Sequence, residues 1–290
     1  MAIPVCRKKY CVSLQNWLTF YPPCFIDIKN QFHGERGLML LPDPEHFKHD
    51  PSFQRFPRNM LENFEDPLDC LTAHLVLECS AVLAGVKPAS LISLVNLTRP
   101  CGRNLYRLWQ LHHEGLAHRF AGLNLVMLQS RPQAVLLLCY NHNHLERHLA
   151  HAGIRTLLHK AGYEAGASCT TLVGELSRRI AGNDSFPHEI GLFIGYPAKD
   201  VAAFMGLAKL PFSCQGPWKI YGDPERSLAL AEQYRCCRQR VSTILATGNR
   251  TALELACSKH PFFCQQTDND YQYPTRHNWH NDTPTEERHS

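Results

Sequence analysis

The chain lacks the features by which most chemistries and locations are recognised. No apolar run approaches 18 residues; the longest clean one is Ala134–Tyr140, which is the length of a buried strand and not of a membrane span. Arg7, Lys8 and Lys9 near the N-terminus are not followed by an apolar segment of the length a secretory leader needs. There is no glycine loop of the phosphate-cradling type, no G-x-S-x-G and no H-E-x-x-H. Strong charge of one sign is also missing: 30 basic against 26 acidic residues leave +4, and the two signs are interspersed. That balance gives no reason to expect nucleic acid as a partner, and nothing points to a membrane. A cytosolic protein is expected.

Cysteine is abundant, but its pattern excludes the usual explanation. The count of 13 is odd, no two cysteines have C-x-x-C spacing, and the one adjacent pair is Cys236-Cys237. A secreted disulfide framework is not expected from this scatter in so long a chain. Reduced thiols, several of them buried as small hydrophobes, fit better.

With 44% hydrophobic and 19% charged residues over 290 positions, the chain can bury a full core. Residues 1–58, rich in Pro, Phe and Cys, read as an irregular extension. Residues 265–290 carry almost no aliphatic side chains and read as a disordered tail. The organised part is expected over 59–240, with a helical extension at 241–264. Periodicity and punctuation predict helices over Leu71–Ala84, from Pro88 to about Asn96, over Leu105–His118, over Leu145–Ala161 and over Thr171–Ala181. The first of these ends at Gly85. Leu123–Gln129 and Ala134–Tyr140, separated by four turn-forming residues, predict a hairpin.

Two later blocks are the most distinctive. Phe186-Pro187-His188-Glu189 leads into Ile190–Tyr196, and Cys214-Gln215-Gly216-Pro217 leads into Trp218–Gly222. Each reads as a strand. A helix opened by Pro197 lies between them, and about twenty connecting residues suit a parallel crossover. Asp223 and Pro224 then start a last helix, with Leu230, Tyr234 and Cys237 on one face. The expected class is α+β: a small mixed sheet, made of the hairpin plus a parallel strand-helix-strand unit, packed with helices.

These blocks carry a resemblance. Cys79-Ser-Ala-Val-Leu-Ala-Gly85-Val-Lys87-Pro-Ala-Ser-Leu91, the hairpin ending in Tyr140, and the His188 and Trp218 blocks occur in the order found in a bacterial family, domain of unknown function 3793. The chain resembles it over about 70–240. Positions fitting its pattern include Cys79, Gly85, Lys87, His188, Glu189, Gly195, Tyr196, Cys214, Trp218, Tyr221 and Cys237. The histidine-rich Asn141–His144 departs from it. The resemblance implies no reaction, cofactor or partner.

Function must then come from geometry. If the two strands are parallel, His188, Glu189 and Cys214 share one edge. A last helix returning about 21 Å beside a strand advancing about 23 Å brings Cys237 back to it. A Cys/His centre of His188, Cys214 and Cys237, with Glu189, Cys79 or water as a fourth group, would suit zinc or iron in a binding or redox role. The same groups allow a cysteine-dependent enzyme, with Cys214 as nucleophile and His188 as base. Against both stands a bland reading, in which Cys237 fills a buried stripe and His188 bonds a carbonyl. The opposite edge offers a third function, a small-ligand site at the Tyr196 and Tyr221 turns. Lys87 is either a ligand anchor or a surface lysine. His144, His148 and His151, spaced i, i+4, i+7, share one helix face that would suit a metal in a purified sample, but a solvated face is the expectation.

Overall fold

The computed structural model describes residues 63–99, 102–116, 119–120, 122–182 and 186–257. The expected extension over 1–58 and the polar tail over 265–290 lie outside the described residues. Among the described residues no helix is long and apolar enough to cross a membrane.

The class is α+β, organised around one strand. Ala134–Tyr140 (β3) is the centre of a three-stranded antiparallel sheet, flanked by Ala89–Val95 (β1) and Asn124–Arg131 (β2). Side chains alternate across a strand. Val135, Leu137 and Cys139 therefore enter one core, and Leu136, Leu138 and Tyr140 enter a second on the opposite face. Both faces of β3 are dry, which is why it reads as a continuous apolar run. The hairpin between β2 and β3 forms as the sequence predicts, turning through Pro132 and Gln133.

The first core is closed by helices Pro67–Glu78 (α1), Ser80–Leu83 (α2) and Leu105–Leu116 (α3), with two C-terminal helices described below. Asp66 caps α1 by accepting from Asp69 N at 2.9 Å, with Pro67 in the first turn. The second core is closed by His142–Leu149 (α4), Ala152–Lys160 (α5) and Cys169–Gly182 (α6). The predicted helix over 145–161 is thus two, broken just before Gly153.

Three expectations fail. The segment after Pro88 is β1, not a helix. Proline's fixed φ suits the residue before a strand as well as a helical first turn. Ala89 and Leu91 point to the second core while Ile92 and Leu94 point to the first, a strand's alternation.

Second, Ile190–Phe193 is a helical turn (α7), not a strand. Ile190, Leu192, Phe193 and Ile194 are all buried, so a period of two is not there to find. Gly195, at φ +79, ends the turn: its N–H donates to Leu192 O and that of Tyr196 to Gly191 O. This is the Schellman arrangement, with proline following.

Third, the parallel unit is a hairpin. After helix Ala198–Phe204 (α8), strand Phe212–Gln215 (β4) pairs antiparallel with Lys219–Tyr221 (β5). Cys214 lies within β4. Helix Glu225–Leu245 (α9) and helix Arg250–Cys257 (α10) complete the first core. Asp223 Oδ1 accepts from Glu225 N at 3.1 Å, as its position before Pro224 predicts. The long helix runs across position 240, so the expected 241–264 extension begins inside it.

His148 departs from the solvated face expected for it. It is buried, and its Nε2–H donates to Leu192 O at 2.8 Å, tying α4 to α7. Burial pushes its imidazole down to about 4, the Leu192 bond opposes this, and His144 and His151 add to it. An unfolded chain protonates the ring near 6.5, so below that pH the unfolded state takes up a proton the folded state refuses. Stability is full above 6.5 and is lost as pH falls towards 4. Urea unfolding should show this as a loss on the order of 2 kcal/mol between pH 7 and pH 4. His148→Gln should remove about half of that slope, because burial holds the His74 imidazole down to about 4 as well; an unchanged slope in the variant would assign it elsewhere.

Candidate functional site

Two places gather the residues singled out from sequence. The first is a cavity of about 450 Å³ lined by Arg178, Arg179, Phe186, Pro187, His188, Glu189 and Met205. His188 is exposed at its rim, ring edge-on to Phe204 at 4.9 Å. The buried carboxylate of Glu189 accepts from Arg179 Nη1 at 3.0 Å and from Tyr163 Oη at 3.2 Å. Arg179 also donates to Glu175 and to the carbonyls of Ala161 and Gly162, with its guanidinium 3.9 Å above the Tyr163 ring. Arg178 holds Glu175 through two bonds of 2.8 Å. The charges here satisfy one another and cross-link α5, α6 and the entry to α7.

Neither Cys214 nor Cys237 lines that cavity. Both are buried in the first core with Trp218, Ile220 and Tyr234. Among the described residues no group of three or more His, Cys, Asp or Glu side chains is placed to hold a metal ion. The shared edge proposed for His188 and Cys214 depended on parallel strands, and the strands are not parallel.

The second place is built around Lys87. Helix α2 ends at Gly85, at φ +73, and Ala81 O accepts from both Val86 N and Lys87 N at 3.0 Å. This turn directs the chain into β1 and buries Lys87, which is only 7% exposed. Its Nζ lies 5.2 Å from the Tyr234 ring centre and 5.9 Å from that of Tyr196. These two rings are its contacts among the described residues.

Three remote segments hold the group together. Tyr234 Oη donates to Gly195 O at 2.9 Å, and Gly195 lies against the Pro88 ring. Tyr196 stacks on Trp218, centroids 4.4 Å apart at 28°. Trp218 is fixed from behind by Asp200, a carboxylate 2% exposed that gathers four donors. Trp218 Nε1 and Ser227 Oγ bond its Oδ2 at 2.9 and 2.6 Å; Tyr221 N and Lys199 Nζ bond its Oδ1 at 2.9 and 2.8 Å. Tyr221 joins through its backbone, while its ring packs edge-on against Phe212. Asp200 and Tyr234 were not among the sequence candidates. Tyr234 was legible only as part of a buried stripe, and nothing marked Asp200.

The electrostatics are unusual for an interior. Burial pushes the Lys87 amine down to about 8, with Cys79 and Glu78 acting against the shift and Arg238 adding to it. Cys79 sits at the junction of α1 and α2, fully buried, and burial followed by the neighbouring Cys139 thiol raises it well above the thiol range. That makes it a poor nucleophile. Burial raises Glu78, but Arg238, 2.8 Å away, and His74 hold it below the usual carboxylate range. Burial drives His74 down to about 4, so it is neutral near pH 7. Two cations, Lys87 and Arg238, thus share one carboxylate, Glu78.

Of the residues named from sequence, Cys79, Lys87 and Tyr196 converge, with Trp218 beside them; His188 and Glu189 form a separate place. No curated protein and no solved structure matches the chain. The family described as protein of unknown function (DUF3793) matches residues 75–254, which take in both places and the sheet between them. More than half the chain is covered, and the order of the Lys87, His188 and Trp218 segments is the one by which the resemblance was read, so the chain belongs to that family.

Proposed function

We propose that the protein is a small-ligand-binding module that holds an organic anion at Lys87. The observation that carries this reading is a lysine only 7% exposed whose amine is set against two tyrosine rings, 5.2 and 5.9 Å from their centres, and not in an ion pair among the described residues. Two ring contacts at 5–6 Å supply about 0.5–2 kcal/mol each. Removing an ammonium from water costs several kcal/mol. The local balance is one positive charge in excess, which a carboxylate would neutralise. Tyr196 is half-buried and lies against the amine, so its ring is the side from which a ligand reaches it. Unstacking that ring from Trp218 costs about 0.5–1.5 kcal/mol, small against an ion pair formed out of water.

This reading keeps the Tyr196 side of the ligand-site expectation and moves its centre to Lys87. Helix α8, seven residues long with Asp200 in its first turn, offers no anion site of its own. The Cys/His centre and the Cys214 enzyme draw less support, because His188 and the two cysteines lie in different surroundings.

Calorimetric titration at pH 7 with acetate, pyruvate and benzoate tests the reading. At least one should bind, with affinity falling ten-fold or more in Lys87→Met and unchanged in Lys209→Met, which alters an exposed lysine. A wild-type protein indifferent to all three, or a Lys87→Met variant that binds equally well, overturns it.

A further inference from the structure

We infer that the cavity beside His188 is a second binding site, one that takes a zwitterionic α-amino acid with an apolar side chain. Lys87 is not part of its lining, and the inference stands without the Lys87 site. Its volume, about 450 Å³, lies in the range of small-molecule pockets. One wall is the carboxylate of Glu189, only 6% exposed. A tight turn fixes that residue: Pro187 O accepts from Ile190 N and His188 O from Gly191 N, both at 3.3 Å. The two hydrogen bonds to the carboxylate, from Arg179 Nη1 and Tyr163 Oη, both fall on Oε1. Oε2 takes none among the described residues and is not sealed in the interior, so the cavity is what it meets. That oxygen lacks a donor, which a ligand can bring.

The opposite need stands in the same lining. Arg178 uses Nε and Nη2 on Glu175, at 2.8 Å each, and its side chain is 73% exposed. Its Nη1 bonds nothing among the described residues, so the cavity offers a donor as well as an acceptor. The fixed charges cancel, with Arg178 and Arg179 set against Glu175 and Glu189. A ligand with one net charge would upset that balance, whereas a zwitterion keeps it. Its ammonium suits Oε2 of Glu189 and its carboxylate suits the Arg178 guanidinium, both as charge-assisted bonds. Phe186, Pro187 and Met205 supply the apolar surface that an aliphatic or aromatic side chain would cover.

The test is calorimetric titration of the full chain at pH 7.5 with L-leucine, L-methionine and L-phenylalanine. At least one should bind, and blocking either end of it, as the N-acetyl acid or as the amide, should weaken binding ten-fold or more. The N-acetyl acid probes the Glu189 contact without disturbing the bonds Glu189 makes to Arg179 and Tyr163. Arg178→Met, a change in an exposed side chain, should weaken the free amino acid ten-fold or more. Met205→Trp, which fills the cavity from a half-buried position, should abolish binding. A wild-type protein indifferent to all three amino acids overturns the inference. So does an N-acetyl acid that binds as well as the free amino acid, or binding that survives Met205→Trp.

Discussion

Replacing Asp200 with alanine should cost about 3–5 kcal/mol, the range for removing one partner from a buried charged network. Against a typical stability of 5–15 kcal/mol, that leaves much of the chain unfolded on modest warming. The expectation follows from what the carboxylate holds: an indole N–H, a hydroxyl, a backbone N–H and a lysine ammonium, from β5, the loop before it, α9 and α8 itself. Trp218, Ser227 and the Tyr221 N–H lose this acceptor at once, while Lys199 keeps its bond to Tyr221 O at 2.6 Å. Asp200→Asn keeps the shape but turns one acceptor into a donor facing donors, so it should lose about half as much. Urea unfolding reads both. An alanine variant within 1 kcal/mol of wild type would mean that the four bonds do not act together.

Gly195→Ala should cost about 3 kcal/mol, for two separable reasons. At φ +79 an L-residue costs about 1–2 kcal/mol. A Cβ there would stand 2.5 Å from Pro88 Cδ, 2.9 Å from Pro88 Cγ and 3.1 Å from Tyr234 Oη, so a ring and a hydroxyl must move, at about 1–3 kcal/mol. Pro88→Ala removes the closest clash but not the backbone strain. In a double-mutant cycle the pair should therefore be less damaging than the sum by about 1 kcal/mol or more. Additive losses would show that Gly195 matters for its backbone alone. Because Pro88 follows Lys87, the same variant should weaken carboxylate binding beyond what its stability explains.

Some of this was readable from the chain. Ala134–Tyr140 has no polar position, and only a strand dry on both sides uses seven such residues so. The signals that misled were ambiguous in themselves. Proline before Ala89 opens a helix or leads into a strand, and only the split of Ala89, Leu91, Ile92 and Leu94 between two cores decides it. Gly195-Tyr196-Pro197 closes either element, so the β-rich Ile190–Tyr196 was assigned by composition when its ending also fits a helix stop. Once that turn is helical, Cys214 has no parallel partner strand and pairs in a hairpin instead. Cys79, Lys87 and Tyr196 could each be named, but their meeting depends on a turn after α2, the end of α7 and the middle of α9. Nothing local in the sequence encodes that coincidence. Asp200 in a first helical turn looks like any residue favoured there by the helix dipole.

The centre strand has one further implication. A strand with a wet side and a dry side is held in place because sliding it by one residue would soak its oily half. Here a slide exchanges grease for grease, so hydropathy says nothing about alignment. Alignment must come from fixed points: the two-residue turn at Pro132-Gln133, the bulge between Met127 and Gln129, and Asn96, which grips that turn through Gln133 O at 2.7 Å and Pro132 O at 3.0 Å. A few polar atoms at one tip of the sheet thus decide which of two interchangeable oily rows each layer of helices receives.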